Sequence, residues 1–182
     1  EGFEVGPHEV DSAPPGKVDL VRANLETFAP KARIVEAESA VLVGRPEMIR
    51  GKNVLVVEDG PTLTHGEMAF GAGVIAAETY QAAHIVDPRP YAAGVLAETF
   101  TKYPHIGHVV PAMGYSSEQI ADLEQTIAAA ECDLVLFATP IHLPRILNID
   151  KPALRVRYEY KDHGQPTLED MLLACLDERR DR

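Results

Sequence analysis

The stretch VEDGPTLTHGEMAFGAG, residues 57–73, gathers two adjacent carboxylates, two threonine hydroxyls, an imidazole and four glycines in one segment. Glu58 and Asp59 stand at the tip of a strand-like run, where paired carboxylates could hold Mg²⁺ directly or through water. The glycines Gly60, Gly66, Gly71 and Gly73 let backbone N–H groups turn toward one point, and the helix expected next adds its partial positive end. Thr62, Thr64 and His65 could then contact phosphate oxygens, so phosphate is the natural guest of such a loop. A Gly-rich surface turn joining strand to helix is the simpler alternative. The segment from Lys52 to Arg89 contains no Lys or Arg between its ends, which excludes a P-loop lysine there. A GxGxxG pattern cannot be placed at the strand end either, so a nicotinamide-dependent oxidoreductase is a runner-up reading.

Cations are supplied from other strand ends. In Asp87-Pro88-Arg89-Pro90-Tyr91 the two prolines fix the backbone on both sides of Arg89, and a pinned guanidinium suits bidentate phosphate binding. The alternative for Arg89 is an ion pair with Asp87 or another carboxylate of this acidic chain. In Ala138-Thr139-Pro140-Ile141-His142, Pro140 reads as the first residue of a short helix and Thr139 as its N-cap or a ligand contact. Arg145 lies in that helix, and Arg155 and Arg157 alternate on one face of the strand beyond. His105 and His108 have a spacing that could ligate zinc, but no third ligand is marked.

The elements that must position these groups alternate. A helix carries Val18, Val21, Leu25 and Phe28 on one face and ends at Pro30; short strands are expected at Arg33–Val35 and Val41–Val43. Strand Val54–Val57 then precedes helix Gly73–Ala83, and strand Ile85–Val86 precedes helix Gly94–Lys102. Strand Val109–Val110 precedes helix Ser116–Ala130, which opens on a Ser116/Gln119 capping box, and strand Leu134–Phe137 follows. A last strand at Leu154–Tyr158 leads to helix Thr167–Arg179, whose buried side is expected to be Leu168, Met171, Leu172, Cys175 and Leu176. Continuous apolar strands separated by helices predict an α/β fold, a doubly wound, mostly parallel, Rossmann-like sheet covered on both faces. A boundary near Arg50 and Gly51 divides residues 1–50 from a Rossmann-like substrate- or phosphate-binding domain at 51–182.

At 182 residues and 46% hydrophobic content the chain can bury a real core. Its 28 acidic against 17 basic residues give a formal charge of -11, a poor match for nucleic acid. Cys132 and Cys175 lie outside any CxxC or Cys/His pattern and read as reduced thiols in a cytoplasmic protein. No apolar run approaches the roughly 18 residues that span a bilayer. The chain begins at Glu1 rather than Met, with three prolines in its first 15 residues, so an upstream segment is expected.

VEDGPTLTHG (57–66), VDPRPYA (86–92), KYPHIGHVVPAMGYS (102–116), ATPIHL (138–143) and DKPALRVRYEY (150–160) together resemble the carboxyl-terminal half of the cyclic 2,3-diphosphoglycerate synthetase family and its predicted-GTPase relatives. The resemblance covers roughly residues 10–160. It implies a nucleotide-dependent phosphotransfer ligase or predicted GTPase using ATP or GTP with Mg²⁺, a phosphorylated small-molecule substrate and a homodimer, and it makes residues 1–50 a remnant of a P-loop nucleotide-binding domain. On this reading His65 and Arg89 are catalytic; Gly60, Thr62, Thr64, Gly66, Gly71, Gly73, Thr139 and Arg145 hold phosphate or substrate; Glu58 and Asp59 hold the metal. Asp11 and Ser12 fall where relatives recognise the nucleotide base, although the preceding residues here are His8 and Glu9 in place of an Asn-Lys pattern. The family's Walker-type GxxxxGK[ST] loop does not occur in this sequence, and His142 stands where an acidic residue is expected. A non-catalytic phosphometabolite-binding or interaction domain is the alternative of a different class.

Overall fold

The computed structural model of the chain describes residues 16–66 and 68–180. Asp11 and Ser12, and with them the proposed base contacts, lie outside the described residues. Six strands form one sheet in the order β1-β6-β5-β2-β3, with β4 also on β2. These are β1 (Ala37–Val43), β2 (Asn53–Asp59), β3 (His84–Ile85), β4 (Val110–Ala112), β5 (Leu134–Ala138) and β6 (Ala153–Asp162). The helices are α1 (Lys17–Phe28), α2 (Gly60–Thr64), α3 (Ala72–Thr79), α4 (Gly94–Lys102), α5 (Ser117–Ala129) and α6 (Leu168–Arg180). Among the described residues no helix is long and apolar enough to cross a membrane.

The ladders of β2 with β3, β4 and β5, and of β5 with β6, are all parallel. β2 is the central strand. It pairs with β5 from Val54↔Leu134 to Glu58↔Ala138 on one side; on the other, β3 takes its first half and β4 its second. Val54–Val57 are all fully buried because both faces of the sheet are covered, which explains the unbroken apolar run. Val54 and Val56 point with Leu134 and Leu136 into one core, where Val74, Ala76 and Ala77 of α3 cover them. Leu55 and Val57 point with Val135 and Phe137 into the opposite core, under Leu96 of α4 and Leu123 and Ile127 of α5. This side-to-side alternation makes the sheet doubly wound, as the sequence pattern predicts. Each such side chain, fully withdrawn from water, contributes about 1.5–3 kcal/mol. Helix α5 begins on the expected capping box, with Ser116 and Gln119 each bonded to the other's backbone amide.

The chain separates into two compact units, Val41–Arg157 and the described parts of Glu1–Ala40 with Tyr158–Arg182. The division falls within β1 and β6, and among the described residues nothing marks a P-loop remnant. The larger unit holds both cores described above. In the smaller unit Glu38 accepts from Lys161 Nζ at 2.8 Å and lies 2.9 Å from His163 Nδ1, while Arg22 binds Glu36 and Arg33 binds Glu178. Residues 33–35 are not a strand; the extended segment starts at Ala37. The buried side of α6 also departs from expectation, since only Met171 is buried and Leu172 and Leu176 are exposed.

Candidate functional site

Residues 58–74 form two helical pieces where sequence predicts a loop and one longer helix. Asp59 is the N-cap residue and Pro61 occupies the first turn of the short helix α2, a position where its missing N–H costs nothing. Leu63 and Thr64 of α2 are buried. The Thr64 hydroxyl donates to the Gly60 carbonyl at 3.0 Å and lies 3.2 Å from His65 Nδ1. The amides of His65 and Gly66 donate to the Pro61 carbonyl. They therefore close the helix end and do not converge on an external anion. Thr62 is exposed, and its hydroxyl donates to Asp59 Oδ2 at 3.0 Å.

The convergence of amides does occur, but onto the protein's own carboxylate. Glu58 is 3% exposed, and its Oε1 accepts from the backbone amides of Gly73 at 2.8 Å and of Gly71 and Val74 at 3.2 Å. Glu58 thus fills the N-terminal end of α3, the place where a helix would otherwise receive a phosphate. Burial pushes its carboxyl up to about 7, against the pull of the Val74, Gly73 and Gly71 amides and with a further push from the Asp59 charge. Gly71 and Gly73 are small because a Cβ would meet Glu58: at 2.7 Å from Oε2 for Gly71 and 2.9 Å from Oε1 for Gly73. Asp59, half-buried, is the carboxylate left facing outward at the strand tip. Burial first and then the Asp59 charge also raise the nearby Tyr115 phenol.

Arg89 takes the structural alternative that the sequence leaves open. Its Nη1 donates to Asp87 Oδ1 at 2.9 Å, its Nη2 binds the Ile106 carbonyl, and its guanidinium lies 5.4 Å from the Phe100 ring centre. Asp87, whose carboxyl is lowered by these contacts against the cost of its burial, also faces His108 at 3.8 Å. The guanidinium therefore pins the turn Arg89–Tyr91 to the loop before β4. His105 bonds the Leu63 carbonyl through Nε2 at 2.8 Å, and no group of three or more His, Cys, Asp or Glu suited to a metal occurs among the described residues.

At the end of β5, Thr139 is buried and its hydroxyl donates to the Ile141 carbonyl at 2.7 Å. Pro140 does not start a helix; the 3-10 turn begins at Leu143 and runs to Arg145, whose side chain is exposed. Arg155, opposite Phe137 on β6, donates from Nη2 to the Pro140 carbonyl at 2.9 Å. Two buried side-chain atoms at this strand end, His142 Nδ1 and Arg155 Nε, have no hydrogen-bond partner among the described residues. Buried polar atoms are almost always paired, so both stand out. Sequence reasoning counts Arg155 with Arg157 among the strand-end cations without choosing between them and assigns His142 no role, because nothing local to either marks it as unpartnered.

β2 and β5 are adjacent, yet the chain leaves β2 for α3 on one face and leaves β5 for Leu143 and Leu147 on the other. Adjacent parallel strands that diverge in this way open a crevice at their carboxyl ends, the usual ligand position of a doubly wound sheet. Glu58, Asp59, Thr139, His142 and Arg155 belong to that end. Arg89 is held elsewhere by Asp87, Ile106 and Phe100.

The chain is similar to the arginine synthetase ArcE of Thermococcus kodakarensis, with 50% identity over 165 residues. The aligned part is 91% of this chain and 37% of that protein, so the chain spans little more than a third of the length of the curated relative it matches. No family model matches the chain, and no solved structure matches it.

Proposed function

We propose that this chain is the substrate-binding part of a nucleotide-dependent synthetase, working at the crevice where β2 and β5 end. The observation that carries this reading is the pair of buried atoms, Arg155 Nε and His142 Nδ1, that have no hydrogen-bond partner among the described residues at the carboxyl end of β5. An arginine Nε is a donor only, and it calls for an acceptor. The site is read as taking an oxyanion, a phosphate or a carboxylate, with Thr139 and the exposed Arg145 beside it. The similarity to a protein named arginine synthetase supports ligase chemistry, and arginine itself carries a carboxylate. The resemblance to cyclic 2,3-diphosphoglycerate synthetases supports a phosphorylated substrate for the same position.

Asp59 fits Mg²⁺ in the manner of nucleotide enzymes, in which one or two carboxylates and substrate phosphates share a metal that keeps several waters. Glu58 is the lesser candidate, because its Oε1 already accepts three amides. When bound, the metal would neutralise phosphate charge; Arg155 and His142 would orient the anionic group, and Glu58 would hold the α3 end rigid beside it. The sequence has no Walker-type loop, so in this reading ATP or GTP is presented by another polypeptide segment. The nicotinamide reading is disfavoured by geometry, since the helix end that a dinucleotide pyrophosphate would need is occupied by Glu58.

Titration of the chain with inorganic phosphate, L-arginine, MgATP and MgGTP tests the proposal. Binding of at least one of these, weakened about 10- to 100-fold by Arg155→Gln as expected for loss of a charged hydrogen bond, is the expected result. No binding, or affinity unchanged in the variant, would overturn it. Phosphate release measured on the same preparation separates a synthetase part that needs a P-loop from a self-sufficient NTPase. Binding with no turnover in any combination with nucleotide-binding segments would favour the alternative of a non-catalytic phosphometabolite-binding domain.

A further inference from the structure

The two faces of the sheet divide the polar groups at its carboxyl end. Glu58 continues the Val54 and Val56 side of β2, toward α3, and so meets the α3 amides. Asp59 continues the Leu55 and Val57 side, toward α4 and α5. Arg155 leaves β6 on that second side too, since its neighbours Leu154 and Val156 point into the α3 core. Tyr115 joins them from β4: Asp59 and Ala112 are in register, and Tyr115 immediately precedes Ser116, the cap of α5. The backbone around it is fixed. Ser116 and Gln119 close the capping box on one side, and on the other a Cβ at Gly114 would overlap the Gln119 side chain. A Cβ at Gly60 would overlap the Ala112 carbonyl, so the end of β4 is pressed against the start of α2. Tyr115 is 42% exposed, and no hydrogen bond among the described residues engages its hydroxyl. The Asp59 charge reaches that phenol, which sets it on the Asp59 side of the β4 tip.

We propose that Tyr115 is a ligand-contacting, specificity-determining residue of the crevice, recognising the end of an elongated ligand that lies remote from the oxyanion at Arg155 and His142; this rests on the crevice reading above. β4 and β5 flank β2 on opposite sides, so their tips are two strand spacings apart, about 10 Å. Arg155 reaches the β5 tip through its bond to the Pro140 carbonyl. A single phosphate ion is too small to bridge that gap and meets the Arg155 end alone. An organic anion with a second polar group at its far end spans it, passing Asp59 on the way. The phenol oxygen both donates and accepts hydrogen bonds, so it can pair with either kind of polar group there. The ligand class is therefore an extended organic anion with polar groups at both ends, and Tyr115 measures its length.

Titration of the 182-residue chain and of Tyr115→Phe with inorganic phosphate, L-arginine, MgATP and MgGTP tests this inference. Tyr115→Phe, which keeps the ring and removes only the hydroxyl, should weaken the organic ligand that binds about 3- to 10-fold, as for loss of one hydrogen bond, and leave phosphate within about twofold. Its chemical-denaturation midpoint should equal that of the wild type. Arg155→Gln should weaken both phosphate and the organic ligand. Equal affinities of Tyr115→Phe and wild type for every organic ligand, an equal loss for phosphate, or binding of phosphate with none of the organic ligands would overturn the role of Tyr115 while leaving the Arg155 site standing. Absence of any binding, or binding indifferent to Arg155→Gln, would overturn the crevice reading and this inference with it.

Discussion

Glu58 and Gly73 are 15 positions apart in sequence but joined by a 2.8 Å hydrogen bond from the Gly73 amide to Glu58 Oε1. A Cβ on Gly73 would lie 2.5 Å from Val56 Cγ1 and 3.1 Å from Ala138 Cβ as well as 2.9 Å from that oxygen. Helix α3 is therefore seated directly on the β2–β5 ladder. Gly73→Ala should lower stability by about 1–3 kcal/mol through overpacking, read as a drop in the chemical-denaturation midpoint. A midpoint equal to that of the wild type would show that α3 is free to lift away from the sheet.

The pH dependence of stability follows from the same carboxyl. Glu58 holds its proton up to about 7 in the folded chain against an ordinary value of 4.5, so the unfolded chain binds fewer protons between those values. Its contribution is present in full below about 4.5 and is lost as pH rises to about 7, a change on the order of 3 kcal/mol. Glu58→Gln, which can still accept the three amides, should abolish this slope and be the more stable protein above pH 7. Parallel wild-type and variant curves from pH 4 to 8 would contradict the assignment.

Replacing Arg89 with alanine should act on the fold. The guanidinium links Asp87, the Ile106 carbonyl and the face of Phe100, so Arg89→Ala is expected to cost about 1–3 kcal/mol in urea unfolding. Phosphate affinity measured below the unfolding transition should stay the same, unlike the loss expected from Arg155→Gln. A selective loss of affinity in Arg89→Ala would return Arg89 to the role of an anion clamp.

Asp59 is the outward-facing member of the carboxylate pair, and its oxygen Oδ2 is shared only with Thr62 Oγ1 in the described structure. Asp59→Asn should raise the Mg²⁺ concentration needed for nucleotide or phosphate binding about tenfold while leaving thermal stability unchanged. Binding that is independent of Mg²⁺ in both proteins would remove the metal from this site.

What the sequence makes legible is what local pattern determines. Val54–Val57 reads as a doubly covered strand because both cores demand apolar side chains, and Ser116 with Gln119 reads as a helix start because the capping box lies within one turn. The Asp59-Gly60-Pro61 start of α2 carried a signal too, an N-cap type followed by a first-turn proline, but the glycines around it favour a loop reading. The inward turn of Glu58 was not legible. Its acceptors' partners lie 13 to 16 positions downstream, and only the tertiary fold brings them to the strand tip. The exposure of Leu172 and Leu176 was hidden for a similar reason: helical period shows that a stripe exists without showing which stripe the rest of the chain covers.

One edge of β2 is shared between two strands in tandem, with β3 supplying two residues and β4 three. Pro111 sits in the middle of β4 and has no amide hydrogen to offer. The outer margin of the sheet on that side is thus broken into fragments too short to template an incoming strand, so fibrillar growth by edge-to-edge addition should not begin there.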